Sequence, residues 1–528
     1  MGEKMAKRLS VLLAGVLALS TVGGCSKGES ESKSQQGGKL TSLTYWTEFP
    51  PQFSATMKSY GEVEAYKELE KRTGVHVEFQ HPPSGQVTDN FNLMLASGQL
   101  PDVIYYDWTS VQGGPQKAIQ DGKIVKLNDY IDKYAPNFKK VLDTHPEWKK
   151  QIVTEDGSIY SMPFIRGDKY LQSIDGMVLR QDWLDKLNLP VPTTIDEWHT
   201  VLQAFKEKDP NGNGKNDEIP LLIDKGGIGG NRAFVGAWGI TTDFYQVNGK
   251  VKFGPIQPEY KQFLTLMNQW YKEGLLDKDF ASTDGKLKDA KVTGNQLGAT
   301  NMAVGGGIGK YTDLMAGSNP GFKLVAAPNP VLKPGDKPIL GHRDNAYLGL
   351  GAAITTANKN IVETVKWLDY GYSDEGHMLF NFGVEGTSYK MENGYPKYAD
   401  ALMKSPDGLP VQQALAKHNL ATWNGPFVQD RRYIEQYAGK PEQRHALDIW
   451  SQPSNERLLP RLTYTAEESA KNSSVMSDIN TYLNEMYNKF VMGIEPLDNF
   501  DKFVKTIQGM GIDEAVKIRQ AALDRYNK

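Results

Sequence analysis

Leu43-Thr44-Tyr45-Trp46 reads as a short strand, Val75-His76-Val77-Glu78-Phe79 alternates like a strand, and Val103-Ile104-Tyr105-Tyr106 is a continuous apolar strand. Between the first two, Val63 to Arg72 is helical, with Val63, Tyr66 and Leu69 near one face, and it stops at Gly74. Between the second and third, Phe91 to Ala96 reads as helix and stops at Gly98. Strand–helix–strand–helix–strand with buried strands predicts a parallel sheet with helices on both faces. In such α/β sheets ligands sit beyond the C-terminal ends of the strands. Two of these strands end in Trp46 and in Asp107-Trp108, which makes those residues candidates for a cleft by topology.

The same alternation continues outward. Asp156-Gly157-Ser158-Ile159-Tyr160-Ser161-Met162-Pro163 predicts a hairpin, and Met177-Val178-Leu179-Arg180 a new strand. Asp182 to Leu187 follows as helix, and Thr194 caps another that opens Ile195-Asp196-Glu197-Trp198. Ile361 to Tyr370 is an amphipathic helix. Residues 474–526 form three helical runs, broken at Gly493-Ile494-Glu495-Pro496 and at Gly509-Met510-Gly511. No internal repeat is visible.

A chain of 528 residues has room for several domain-sized units and a cleft between lobes. Hydrophobic residues at 39% and charged residues at 23% exclude global disorder and a multi-span membrane protein. The net charge of −3, with no concentrated basic face, argues against nucleic acid as a partner. The single cysteine, Cys25, excludes a disulfide framework and Cys-x-x-Cys zinc sites. The histidines are scattered, and none pair at metal-ligand spacing on one helix.

That cysteine closes an export signal. Lys4, Lys7 and Arg8 form a basic start, and Leu9 to Leu19 is an apolar run too short to span a bilayer. Ser20-Thr21-Val22-Gly23-Gly24-Cys25 resembles a bacterial lipobox, in which cleavage before the cysteine leaves its sulfur to carry lipid. Residues 1–24 are thus read as a lipoprotein signal peptide, and 25–39 as a polar, Gly/Ser-rich tether. The folded body is expected on the outer face of the cytoplasmic membrane, held by the lipid anchor alone.

Asp209-Pro210-Asn211-Gly212-Asn213-Gly214-Lys215-Asn216-Asp217-Glu218-Ile219-Pro220 is the sharpest local signal. Oxygen side chains at relative positions 1, 3, 5 and 9 follow calcium-loop spacing, and Gly214 stands at position 6, where such a loop turns sharply. Lys215 at position 7 can offer its backbone carbonyl. A bidentate Glu at position 12 is missing, because Pro220 stands there and Glu218 is at position 10. The expected ligands of a structural Ca2+ are Asp209, Asn211, Asn213, Lys215, Asp217 and Glu218.

Catalytic signatures are sparse. No Gly-x-Ser-x-Gly elbow occurs. Gly305-Gly306-Gly307-Ile308-Gly309-Lys310-Tyr311 fails the P-loop pattern, since Val304 stands in place of the first Gly and Tyr311 in place of Ser/Thr.

Ala96-Ser97-Gly98-Gln99-Leu100-Pro101-Asp102-Val103 resembles a motif of extracellular solute-binding proteins, the capture subunits of bacterial ABC importers. Asp156-Gly157 with Ile159-Tyr160 and Pro163 is a second such feature. Leu179-Arg180-Gln181-Asp182-Trp183-Leu184, Pro192-Thr193-Thr194 and Asp209 to Pro220 are similar to the LipO-like branch, which includes alginate-oligosaccharide binders. Lys366-Trp367-Leu368-Asp369-Tyr370 and Val384-Glu385-Gly386 fit as well, so the resemblance spans residues 40–528. It implies a type II periplasmic-binding-protein-like α/β fold of two discontinuous lobes that close on ligand. The first lobe is expected over 40–170 plus about 350–400, and the second over 171–345 plus about 401–528, with crossings near 170–177, near 345–350 and around 400. The alginate binders carry calcium on a loop of the Asp209–Glu218 kind. Relatives also place a Trp in the glycine loop after Asn301-Met302-Ala303, where this chain has none.

The function this implies is capture of an oligosaccharide in the interlobe cleft and its delivery, by a monomeric receptor, to permease subunits. A secreted glycoside hydrolase or polysaccharide lyase is the alternative class. Aromatic rings and hydrogen-bonding side chains suit sugar rings. The candidate ligand residues are Trp46, Asp107, Trp108, Arg166, Trp238, Arg343, Tyr347 and Trp423. Trp423 and Trp46 are expected to stack on sugars from opposite lobes, with Arg343 and Asp107 on hydroxyls or a carboxylate. Arg166, Arg232 and Arg343 lie in predicted loops, and an Arg fork suits a uronate. Substituting Cys25→Ala should yield uncleaved or released protein with its fold intact; a variant that fractionates with the membrane in lipidated form would contradict the lipobox reading.

Overall fold

The computed structural model describes residues 40–223, 234–422 and 425–528. Cys25, the signal and tether, Arg232 and Trp423 lie outside the described residues. In chain order the strands are β1 (Ser42–Trp46), β2 (His76–Gln80), β3 (Val103–Asp107), β4 (Met162–Arg166), β5 (Asp175–Arg180), β6 (Ile219–Leu222), β7 (Phe244–Val247), β8 (Lys250–Phe253), β9 (Leu297–Ala303), β10 (Leu324–Ala326), β11 (Tyr347–Ile354), β12 (Tyr389–Glu392), β13 (Tyr395–Tyr398) and β14 (Val428–Gln429). A six-stranded sheet runs β14-β4-β11-β3-β1-β2, and a four-stranded sheet runs β10-β5-β9-β6.

The opening of the chain folds as its pattern predicts. β1 lies parallel to β2, from Ser42 opposite His76 to Trp46 opposite Gln80, and parallel to β3. The intervening helices span Glu64–Thr73 and Val87–Ser97. Each ends at a glycine with positive φ, Gly74 at 72° and Gly98 at 73°, whose amide closes on the last turn. Thr194 and Glu197 form a capping box on the helix Ile195–Glu207. The C-terminal helices are Ala466–Met492, Phe500–Gly509 and Ile512–Tyr526, with Gly493 and Gly511 at the breaks. Among the described residues no helix is long and apolar enough to cross a membrane.

Three expectations are corrected. The first sheet is mixed rather than parallel throughout, because β11 enters antiparallel to both β3 and β4. A buried apolar strand reads alike in either direction, so its partner decides. The predicted hairpin at 156–163 is a turn: Gly157 and Thr154 close it through Gly157 N to Thr154 O at 2.9 Å, and β4 then pairs with β11 and β14 instead. The lobe boundaries also shift, since β14 at Val428–Gln429 belongs to the first sheet, while Tyr389 and Tyr398 pack in the core around the second.

Two separate cores fill the molecule. The first gathers Leu43, Tyr45, Phe91, Ile104 and Ile165 with Ala352 and Ile354. The second gathers Val178, Leu179, Trp183, Trp198, Leu221 and Trp270 with the C-terminal helices. The chain passes from one sheet to the other between Arg166 and Asp175, returns between Ala326 and Tyr347, and leaves the first sheet again after β14, since Tyr433, Ile434 and Trp450 pack in the second core.

The first core claims three of the predicted ligand residues. Trp46 is buried against Phe91 and Tyr106, with ring centroids 5.9 and 6.0 Å away. Trp108 is fully buried, its ring 5.4 Å from Phe91. Tyr347 is fully buried, and its hydroxyl meets the Tyr160 hydroxyl at 2.8 Å and donates to Gly349 O at 2.8 Å. The helix Val87–Ser97 sends Phe91 into the space between Trp46, Tyr106 and Trp108, so the strand ends are roofed rather than open. Trp108→Ala is therefore expected to cost about 3–5 kcal/mol of stability, read as a lowered urea midpoint with an unchanged slope.

Candidate ligand cleft at the crossing segments

The first two crossings are tied side by side. Arg166 N donates to Ala346 O at 2.8 Å, and Asp344 N donates to Gln172 O at 2.8 Å. Arg166 Nη1 then reaches Asp344 Oδ2 at 2.8 Å, with both side chains largely shielded from solvent. Gln172 serves both sides: its Nε2 donates to Arg166 O at 2.7 Å, and its Oε1 accepts from Arg343 Nε at 3.2 Å. His342 bridges Asp175 and Asp344 at 3.4 and 3.3 Å. Arg166, expected in a loop, instead ends β4 at the crossing, and its charge is already met by Asp344. Arg343 faces the other way and has no carboxylate at ion-pair distance among the described residues.

Asp107 is held by its own turn. Its Oδ1 accepts from Thr109 N at 3.0 Å and Thr109 Oγ1 at 2.6 Å. It also receives Arg461 Nη2 at 3.3 Å, and the Arg461 guanidinium lies 5.3 Å from the Tyr347 ring. Arg461 sits on the segment that leads into the helix Ala466–Met492, far away in sequence from its partner. No local pattern announces it. The one clue is a charged residue between Pro460 and Leu462 in an otherwise apolar run.

The glycine loop is a wide helical turn, Val304–Gly309, directly after β9. A Cβ on Gly305 would stand 1.9 Å from Tyr437 Oη, and one on Gly309 2.6 Å from Gln443 Nε2. Gln443 Nε2 donates to Val304 O at 2.8 Å. These glycines therefore let side chains of later helices close onto the backbone. The aromatic ring at this loop arrives from the helix Arg431–Tyr437 instead of from the loop itself.

A cavity of about 140 Å³ opens here, between the first crossing, the glycine turn and that helix. Arg166, Gly305, Gln412, Thr422, Gln429 and Tyr437 line it, with Tyr433 behind. The Tyr433 and Tyr437 rings stack at 5.3 Å and 18°. Burial pushes both phenols up, so both remain neutral hydroxyls. The lining residues carry three buried polar atoms with no hydrogen-bond partner: Arg166 Nε, Thr422 Oγ1 and Gln429 Oε1. Aromatic faces beside unsatisfied donors and acceptors suit a polar ring. Sequence reasoning reached Arg166 here and missed Tyr433, Tyr437 and Gln429. Trp238 is half-buried elsewhere, its ring 6.1 Å from Phe263.

The Asp209–Glu218 loop lies between the helix Ile195–Glu207 and β6. Asp209 accepts from the amides of Gly212, Asn213 and Gly214 at 2.9–3.1 Å. Asp217 accepts from the side-chain amides of Asn211 and Asn213 at 3.1 and 2.9 Å. Hydrogen bonds, Asn213 first, hold Asp217 below its ordinary value. Glu218 is different: no side chain among the described residues donates to its two buried carboxylate oxygens, and burial raises its carboxyl, the backbone amides of Glu218 and Asn211 opposing the rise and Asp209 and Asp217 adding to it. Among the described residues no group of three or more His, Cys, Asp or Glu is arranged to hold a metal ion by itself.

Two α/β lobes joined by paired crossings, with a cavity beside them, define a two-lobed periplasmic-binding-protein fold. The chain belongs to the bacterial extracellular solute-binding proteins, whose family model matches residues 54–378. These are binding proteins rather than enzymes. It is 30% identical over 487 residues to the fructooligosaccharide ABC transporter substrate-binding protein FusA of Streptococcus pneumoniae, covering 87% of this chain and 86% of that one. It is 28% identical over 386 residues to lipoprotein LipO of Bacillus subtilis, covering 72% and 73%. Over 247 residues, 45% of this chain and 48% of the relative, it is 31% identical to the polygalacturonan/rhamnogalacturonan-binding protein YtcQ of B. subtilis. Its fold matches alginate-binding protein AlgQ2, solved without calcium ion, with a TM-score of 0.76 at 29% identity, covering 93% of this chain and all of that one. It matches S. pneumoniae FusA in complex with kestose with the same TM-score at 27% identity, covering 92% and 99%; an EF-hand mutant of FusA matches as well.

Proposed function

We propose that this protein captures an oligosaccharide between its lobes and delivers it to the permease of an ABC importer, working as a lipid-anchored monomer on the outer face of the cytoplasmic membrane. The cavity at the glycine turn carries this reading: stacked tyrosines, brought close because the turn has no side chains there, and buried polar atoms still lacking partners. Relatives described as binding fructooligosaccharide, polygalacturonan/rhamnogalacturonan and alginate support a carbohydrate. The lipobox-like run before Cys25, and the likeness to lipoprotein LipO, support the anchor. Trp423, outside the described residues, is a further stacking candidate from the sequence. A uronate unit would draw on Arg343 rather than Arg166, since Asp344 already neutralises the latter.

Tyr437→Ala should weaken oligosaccharide binding by about tenfold to a hundredfold, equivalent to about 1–3 kcal/mol. Calorimetry against a panel of neutral and uronic oligosaccharides measures this, with recovery of intact sugar afterwards. Wild-type affinity in the variant would remove the cavity from the ligand path, and no binding to any sugar in the panel would count against a carbohydrate.

Calcium in the Asp209–Glu218 loop belongs to the same reading. The buried Glu218 carboxylate, which no side chain among the described residues donates to, fits a hard cation, as do the oxygens of Asp209, Asn211, Asn213 and Asp217 and the carbonyl of Lys215. The ion would pin the entry to β6 and supply no chemistry to the ligand. Exhaustive chelation is expected to lower the melting temperature, and Asp209→Ala to abolish that sensitivity. Superimposable melting curves in chelator and in excess calcium would sink the site.

A further inference from the structure

A second cavity, of about 250 Å³, lies against the other side chains of the second crossing. It shares no lining residue with the cavity at the glycine turn. Phe244, Tyr464 and several leucines give it an apolar wall, and Arg343, Asn345, Asp243 and Arg519 supply its polar groups.

The charges do not balance. Arg519 is held in place: its guanidinium carbon stands 3.6 Å from the Phe244 ring centroid, and Nη1 donates to the Asn472 side-chain oxygen. Arg343 uses only Nε, on Gln172. Neither guanidinium has a carboxylate within ion-pair distance among the described residues, and Asp243 is the one acid on the lining. Burial holds Arg519 below its ordinary value. A shielded guanidinium whose charge partner, Asp243, stands beyond ion-pair distance is costly, and an arriving anion would offset that cost. The planar fork of Arg matches a carboxylate, and the apolar wall favours an organic acid over an inorganic anion. Consecutive residues of the crossing therefore face different tasks: Asp344 neutralises Arg166, while Arg343 is left uncommitted.

We propose that this cavity is a carboxylate site, in which Arg519 and Arg343 take the acid group of a small organic solute whose carbon frame lies against Tyr464 and the leucines. The proposal stands whether or not the cavity at the glycine turn holds the sugar. The acid could be a free solute or an acidic unit of a captured oligosaccharide.

The test uses the whole protein and two probes that differ only by the acid group, D-galacturonate and D-galactose. Calorimetry should give galacturonate an affinity at least about tenfold higher. That preference should fall to within about twofold in Arg343→Gln and, separately, in Arg519→Gln. Equal binding of the two probes, or a preference that survives both substitutions, overturns the site. If Arg519→Gln fails to fold, Arg343→Gln decides alone, since its side chain is exposed. Repeating the galacturonate titration with a neutral fructooligosaccharide at saturation separates the sources. Simultaneous binding identifies a free acid, and competition that still needs Arg343 identifies an acidic unit of one chain. Neutral-sugar binding without an acid preference would leave the proposed function standing and remove this site alone.

Discussion

The bond between Arg166 and Asp344 is the constraint on which the arrangement of the two lobes depends. It joins the residue at which the chain leaves the first sheet to a residue three short of its return. Two backbone hydrogen bonds and the shared Gln172 side chain reinforce it, so the crossings behave as one ribbon rather than two threads. A largely buried ion pair of this kind adds little net stability, but losing one partner leaves an uncompensated charge. Its value lies in register: it fixes which residues of the crossing face each cavity. Asp344 is turned toward Arg166, and Arg343 toward the opposite cavity.

The second constraint is steric. Three side chains, Tyr437 and Gln443 from later helices and Met302 from β9, occupy the space where Cβ atoms of the glycine turn would stand. The turn can approach the helix Arg431–Tyr437 only because those atoms are missing. The loop's own sequence holds no aromatic, and the packing places an aromatic ring there from a different element, Tyr437 of the helix Arg431–Tyr437.

Much of the fold was legible locally. The opening strands and helices, their glycine stops, the Thr194 cap and the breaks at Gly493 and Gly511 all follow from patterns within a few residues. The site was less legible, because its geometry is made by pairs such as Asp107 with Arg461 and Gly305 with Tyr437, for which no local period exists. The tryptophans misled for a physical reason. A Trp at a strand end is equally suited to a cleft and to a core, and only the placement of Phe91 decides for Trp46 and Trp108. The direction of β11 was hidden likewise, since its Gly-Leu-Gly-Ala-Ala run carries no mark of orientation.

The last turn of the chain is also more than an end. Arg525 grips Glu155 of the first lobe through Nε at 2.5 Å and Glu468 through two bonds at 2.9 and 2.6 Å. Lys150 donates to Tyr526 O at 2.7 Å, and Thr463 Oγ1 donates to the other Glu155 oxygen at 2.6 Å. The helix Ile512–Tyr526 packs in the second core, so its tip links the lobes a further time, away from the paired crossings. For anyone turning this receptor into a reporter, the carboxy-terminus is consequently a poor place for a fused fluorophore or affinity handle, because cargo there would load a strut between the moving parts. The exposed tip of the β12–β13 hairpin at Asn393-Gly394 carries no such duty and offers the quieter attachment point.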